Sequence, residues 1–396
     1  MTRKLSPPIQ FGKFSEDWEQ HKCGDVLSES REVGHSGDIA KKLTVKLWGK
    51  GVYAKDDKGS IATQYYVRHA GQFIYSKLDF LNSAFGVIPK ELDFFESTAD
   101  LPAFDCNGVN PYFMYYRAIQ PSFYVKNGIV ADGTRKAKRI HVDTFLSMPL
   151  VLPSSTEQDT IVGFLQEFDN CIILHQCKCD RLVAAKASML DKLFVQEAEI
   201  TPKIRFGEYT KPWRKVRLGE IVVPYSNPVE TPHDGYERLG IRSHGKGVFH
   251  DYVEAGNELG TAQMHRVAAH NLIVNITFAW EHAVAITCDD DDGKLVSHRF
   301  PQFSMTDDIY DQFLKYLILD TKFRHHLLLS SPGGAGRNRV LKVPEMFEYE
   351  MMIPEIEEQK EIAGYLNSLD ELIELYKVRV EMLKNIKTAF LQKMFV

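Results

Sequence analysis

Residues 157–169 read EQDTIVGFLQEFD, and residues 358–370 read EQKEIAGYLNSLD. The likeness runs without a gap over 148–195 and 349–396, an offset of 201 residues. Shared positions include Pro153/Pro354, Glu157/Glu358, Gln158/Gln359, Ile161/Ile362, Gly163/Gly364, Leu165/Leu366, Asp169/Asp370, Leu182/Leu383, Lys186/Lys387 and Phe194/Phe395. A second repeat opens each half, IQFGKFSEDW at 9–18 and IRFGEYTKPW at 204–213. Further in, WGKGVY at 48–53 answers HGKGVF at 244–249, and between these landmarks the halves share little. The plan is variable block, shared tail, variable block, shared tail. Such a duplicated chain must fold as two like halves.

The tails carry a heptad pattern. In the second, Ile362, Leu366, Leu369, Ile373, Tyr376, Val380, Leu383, Phe390 and Met394 alternate steps of four and three, with Lys387 in the remaining slot. The first repeats the register with Ile161, Leu165, Phe168, Ile172, His175, Cys179, Leu182, Lys186, Met189 and Leu193. About five heptads predict a coiled-coil helix, roughly 57 Å long at 1.5 Å per residue. Both helices start just after a proline, with Ser155 and Gln158 at capping-box spacing in the first. Glu355, Glu357 and Glu358 stand where the second helix dipole favours anions. A narrow apolar seam needs a partner, and two copies in one chain supply it. Antiparallel packing would relate the halves by a pseudo-two-fold axis, with Lys186 and Lys387 either fixing register or reaching out to solvent.

At 396 residues the chain has room for two cores. Its 44% apolar and 26% charged content suits a soluble protein. No apolar run approaches the roughly 18 residues of a membrane span, and the opening MTRKLSPPIQFG lacks a signal peptide's apolar middle. A cytoplasmic protein with no membrane segment is expected. Cys171, Cys177 and Cys179 fall in the helical pattern without a second Cys/His pair at zinc spacing, so reduced thiols and no metal are expected. The net charge of −5 divides as +3 over 1–147, −1 over 204–347, and −3 and −4 over 148–203 and 348–396. The acid excess belongs to the tails, so the overall charge neither supports nor excludes a nucleic-acid partner.

The variable blocks read as α+β. LIVNITF at 272–278 alternates as a strand, with Leu272, Val274, Ile276 and Phe278 on one face. EHAVAIT at 281–287 offers a return strand, and QFIYSKL at 72–78 is the weaker counterpart. Helices are predicted from Asn110, with proline in the first position, and over DDIYDQFLKYLILDTKF from Asp307. Each is followed by a glycine-containing basic loop, ADGTRKAKRI at 131–140 and SPGGAGRNRV at 331–340. The element order is the same in both blocks, which predicts one shared fold.

No catalytic signature emerges. GGAGRNR lacks the Lys-Ser/Thr ending of a nucleotide phosphate loop, no Gly-x-Gly-x-x-Gly follows a strand, and the Asn/Asp-Pro-Pro-Tyr/Phe motif of amino-methyltransferases is missing. Asp289 to Asp292 read as a solvated turn, and His325–His326 as helix residues with packing or surface roles. Basic loops do recur in matching places. Arg135, Lys136, Lys138 and Arg139 correspond to Arg337 and Arg339, with Asn338 between them. Lys50 and Lys246 lie in matching Gly-Lys-Gly turns whose amides could approach a phosphate. Arg242 and His244, with Tyr65, Tyr66 and Arg68, complete the candidate DNA contacts.

The duplicated P…EQ…I.G.L…D start of each long helix, the opening RFGEYTKPWRKVRLGEI of the second block and the glycine-basic loops resemble the specificity (S) subunits of type I restriction–modification systems. The resemblance spans essentially the whole chain. It departs at Gln10 and Cys23 of the first opening and at His175 and Cys179 of the first seam. It implies two tandem target recognition domains, at 1–152 and 204–353. Two long helices, 153–196 and 354–396, with a linker at 197–203, would join them as an antiparallel intramolecular coiled coil with pseudo-two-fold symmetry. The expected seam is Ile161, Leu165, Phe168, Ile172 and Leu182 against Ile362, Leu366, Leu369, Ile373, Val380 and Leu383. Each domain would read half of an asymmetric site on double-stranded DNA. Two methyltransferase (M) subunits would dock on the helices and carry S-adenosylmethionine, and restriction (R) subunits would add ATP-driven translocation and cleavage. The chain itself would need no cofactor and catalyse nothing. Two other readings fit part of the pattern, a coiled-coil scaffold without nucleic acid and a self-contained DNA-modifying enzyme.

Overall fold

A computed structural model describes residues 5–57, 59–129, 139–196, 199–258, 263–333 and 339–396. The chain divides into two compact units: unit one is Met1–Cys177 with Tyr376–Val396, and unit two is Lys178–Leu375. Four helices organise them: α1 (Pro111–Ala118), α2 (Ser155–Leu193), α3 (Asp311–Ile318) and α4 (Ile356–Lys393). Both long helices, α2 and α4, run through both units. None of the described helices is long and apolar enough to cross a membrane.

Each unit has the same sheets despite the diverged sequence. In unit one, five strands lie in the order Val33–Ser36, Gln64–Val67, Glu96–Ser97, Lys42–Val45, Val52–Lys55. In unit two the order is Pro228–Val229, Met264–Arg266, Leu295–Ser297, Tyr236–Ile241, Val248–Val253. Beside each is a four-stranded antiparallel sheet, and Glu19–Lys22 and Arg214–Arg217 pair with Pro149–Leu152 and Glu350–Ile353 just ahead of α2 and α4. This is the shared α+β fold.

Two local expectations needed correction. The strand expected over 272–278 stops at Val274. Asn275 accepts a hydrogen bond from the Thr277 amide on its side chain and from the Phe278 amide on its carbonyl, which turns the chain out of the sheet. Leu272 and Val274 are fully buried, whereas Phe278 is exposed. The helix expected from Asp307 is two helices, α3 and Thr321–Leu329, because Asp320 is extended and its carboxylate caps the Lys322 amide. Asn110, by contrast, caps α1 as its sequence predicts, accepting from the Tyr112 and Phe113 amides.

The repeated Glu-Gln-…-Asp motif has a tertiary purpose. Gln158 makes no capping box. It is buried, donates to the Pro153 carbonyl at 3.0 Å and accepts from the Asn110 amide at 2.8 Å. Gln359 likewise donates to Pro354 and accepts from Tyr310. Each glutamine thereby ties the start of a long helix to the loop ahead of α1 or α3. The buried glutamates hold the opening motifs: Arg205 grips Glu358 through two nitrogens, at 2.8 and 2.5 Å, and Trp213 Nε1 donates to it at 3.3 Å. In unit one Gln10 takes the arginine's place with a single bond to Glu157 at 3.0 Å. Among the described residues Trp18 Nε1 has no partner.

Within each unit the long helices pack antiparallel. In unit one Phe164 and Phe168 meet Phe390, Lys387 meets Asp169, and the His175 ring lies 5.4 Å from Tyr376. In unit two Cys179 lies against the Ile373 carbonyl and Lys186 meets Asp370. Ile161, Leu165, Ile362, Leu366, Leu369, Ile373 and Val380 are buried, and Phe168, Ile172, Leu182 and Leu383 half-buried. The heptad slots thus mark the covered face of both helices. Helix ends join the unit cores: Phe395 packs on Trp18 and Phe113, and Phe194 on Trp213 and Phe313.

Candidate nucleic-acid interface

Strands β1 (Lys42–Val45) and β2 (Val52–Lys55) of unit one pair antiparallel, as do β3 (Tyr236–Ile241) and β4 (Val248–Val253) of unit two. The loops between them, 46–51 and 242–247, correspond residue for residue. Each closes with one backbone bond of 2.9 Å, from the Lys46 amide to the Gly51 carbonyl or from Arg242 to Gly247.

Both loop tips are left-handed. Trp48 has φ 62° and Gly49 61°; His244 has φ 65° and Gly245 63°. For an L-residue with a side chain this conformation costs about 1–2 kcal/mol, so the surroundings must impose it. They do so through amides. Trp48 and Gly49 donate to the carbonyls of Asn82 and Ser83 at 2.8 Å, and His244 and Gly245 donate to Glu281 and His282 at 2.7 and 2.9 Å. Those carbonyls belong to short 3-10 turns, each ending in a left-handed residue, Ser83 or His282. Tyr115 Oη adds a 2.7 Å bond to the Gly49 carbonyl. A Cβ on Gly49 would stand 3.1 Å from Ile119, and one on Gly245 2.7 Å from Leu319. The glycines are therefore required for close packing against the residue that ends α1 or α3.

Side chains follow the same scheme. Lys46 Nζ lies 3.7 Å above the Tyr53 ring, and the Arg242 guanidinium 5.2 Å above Phe249, so a cation on an aromatic ring stands at each loop base. Arg242 also bonds the Val248 carbonyl. Lys50, Lys246, Arg242 and His244 are exposed. Trp48, at the unit-one tip, is 62% exposed. Of each Gly-Lys-Gly turn, the structure engages the first glycine's amide, at 49 or 245, together with the amide before it, at 48 or 244, on carbonyls of the same unit, and it leaves the Lys50 and Lys246 side chains exposed.

The other candidates fare unevenly. Arg68 is not at the surface. It is 2% exposed, donates to Ser97 Oγ, Ser30 O and Leu101 O, and burial pulls its pKa down to about 10. An arginine enclosed by its own sheet cannot reach a duplex. Tyr65 is half-buried, with Lys42 Nζ 5.8 Å from its ring. Arg139 is exposed beside Asp100 at 3.6 Å, and the Arg339 guanidinium lies 5.6 Å from the Trp280 ring. Arg135, Lys136, Lys138, Arg337 and Asn338 lie outside the described residues. The acidic run is not wholly a solvated turn either: Asp291 is 1% exposed, accepting from the Cys288 amide and pairing with His250 at 2.6 Å. Among the described residues no group of His, Cys, Asp or Glu is placed to hold a metal ion. Lys46, Tyr53 and Trp48 were missed in the sequence. The signal that could have found them was the position of WGKGVY against HGKGVF, which puts Trp48 and His244 at one place.

Comparison with known proteins agrees with this layout. Residues 260–385 match the family model described as the type I restriction modification DNA specificity domain. The MjaVIII type I restriction enzyme specificity subunit of Methanocaldococcus jannaschii is 27% identical over 286 residues, covering 67% of this chain and 66% of that one. The chain thus spans just under two thirds of that relative's length. The crystal structure of a type I restriction-modification system S subunit from M. genitalium shares the fold, with a TM-score of 0.60 at 12% identity over 99% of both chains. Two α+β units, each built on segments of the same two long helices, define a tandem-repeat architecture. Over residues 260–385, and over about two thirds of its length, the chain is similar in sequence to specificity subunits of type I restriction–modification systems.

Proposed function

We propose that this chain is the DNA-reading subunit of a type I restriction–modification complex, each unit reading one half of an asymmetric, two-part site on double-stranded DNA. One observation carries the reading: the same cation-flanked loop is built twice, at equivalent places, on blocks whose sequences have diverged. Identical readers related by symmetry would select a palindrome, whereas two unlike readers select two different half-sites. In this proposal the long helices set the half-site separation and offer docking surface to two methyltransferase subunits. Those subunits bring S-adenosylmethionine and methylate adenine, and restriction subunits add cleavage. This chain holds no cofactor and performs no catalysis. The basic segments at 131–140 and 331–340 add contacts to the DNA backbone, whose strength falls with salt.

The test is to map methylated adenines in genomic DNA from cells with and without the gene. A two-part asymmetric motif that appears only with the gene is expected. Identical methylation patterns, or a single palindromic motif, would overturn the proposal.

A further inference from the structure

We propose that Trp48 and His244 are equivalent base-contacting tips, one per unit, and that the residue at this single position helps set which bases each unit prefers. The assignment rests on the DNA-reading proposal above and deepens it to named side chains.

Four observations carry it. Trp48 is a large aromatic, 62% exposed, in a left-handed conformation that suits glycine, and His244 has the same conformation at the matching place. Strain of this kind persists only where the surroundings impose it, and it gathers at functional positions. The imposing frame is the same in both units: two amides bonded to a 3-10 turn, a glycine packed on Ile119 or Leu319, and a cation on an aromatic ring at the loop base. On that shared frame the tip differs in kind, an indole in one unit and an imidazole in the other, as does the residue before it, Leu47 or Ser243. Two readers of unlike half-sites need just this, a fixed mount with an exchangeable probe.

The chemistry of each tip suits a base pair. Indole offers an apolar face for a thymine methyl or an unstacked base and one N–H donor. Imidazole can donate and accept at base edges. Lys50 and Lys246, two residues on, and Lys46 or Arg242, two residues back, stand where phosphates flank the contacted bases.

The experiment uses the full chain co-expressed with a methyltransferase subunit with which it assembles, and selects from a pool of randomised duplexes. Wild type is compared with W48H, H244W and K50A, with circular dichroism as the folding control. W48H should fold, because histidine already occupies the equivalent left-handed site. Wild type should enrich two separated sequence elements. W48H should change preference within one element only and lower affinity for the wild-type sequence about tenfold, H244W should change the other element, and K50A should weaken all sequences alike. If W48H and H244W enrich the wild-type motif with unaltered preference, the tip assignment is overturned while DNA reading stands. If wild type enriches nothing, the DNA-reading proposal falls and takes this assignment with it.

Discussion

Lys387 Nζ stands 2.5 Å from Asp169 Oδ1, and the lysine and aspartate belong to opposite long helices. Tyr116 of α1 donates to the other carboxylate oxygen at 2.7 Å, and the same ammonium lies 4.9 Å from the Tyr116 ring. Unit two repeats the triad with Lys186, Asp370 and Tyr316. Burial, and then the bond to the carboxylate, raises the Tyr116 pKa far above the ordinary phenol range. Of the two roles open to the seam lysines, the structure shows them bonded across the seam. A shift by one helical turn would leave both charges without partners.

The pair is partly exposed, Lys387 at 14% and Asp169 at 40%, so its coupling should be modest, about 1 kcal/mol. A double-mutant cycle with Lys387→Met and Asp169→Asn, read by denaturant unfolding, measures it. Additive effects would show that the lysine contributes through packing alone.

Glu358 and Glu157 occupy equivalent buried sites, but among the described residues only Glu358 faces an arginine. Glu358→Gln leaves Arg205 without a carboxylate and should destabilise by about 3 kcal/mol. Glu157→Gln disturbs only the Gln10 bond and should cost about 1 kcal/mol. Calorimetry separates the two, and equal losses would sink the argument.

Arg68→Met removes a donor from Ser97 Oγ and from the half-buried carbonyls of Ser30 and Leu101, the last of which still accepts from Ser97 Oγ, and should lower stability by about 2 kcal/mol. Because the guanidinium is enclosed, the slope of DNA affinity against salt should not change. A slope reduced by about one charge would return Arg68 to the DNA surface.

His270 lies 2.8 Å from Asp311 and 3.1 Å from Asp289, and the bond to Asp311 leads in raising its pKa above the ordinary 6.5. A raised value means that the charged form is favoured in the folded chain. Its stabilising contribution is therefore complete below pH 6.5 and is lost as pH rises through the raised value. His282 acts oppositely, because burial lowers its pKa and its contribution is lost as pH falls. Comparing His270→Gln with wild type cancels the His282 effect. The stability difference between wild type and variant should be larger at pH 6 than at pH 8, and a difference independent of pH would refute the linkage.

Much of the fold was legible because helix burial is periodic along the chain. The four-three spacing of Ile161, Leu165, Ile362 and Leu366 names the covered face before any partner is known. Glu157, Gln158 and Asp169 stood out by recurring 201 residues later, although their partners, Gln10, Asn110 and Lys387, could not be read from spacing.

By itself, then, the sequence determined that this chain has two like halves, two long apolar seams and basic loops in matching places. Tertiary structure decided which cations face outward. Arg68 turns inward because strand carbonyls and Ser97 surround it, and Trp48 turns outward because carbonyls more than thirty residues away hold its loop left-handed. The physical reason is one of range. Helical periodicity is a local property of the backbone, whereas the direction of a loop side chain is set by hydrogen bonds that exist only once distant segments have met.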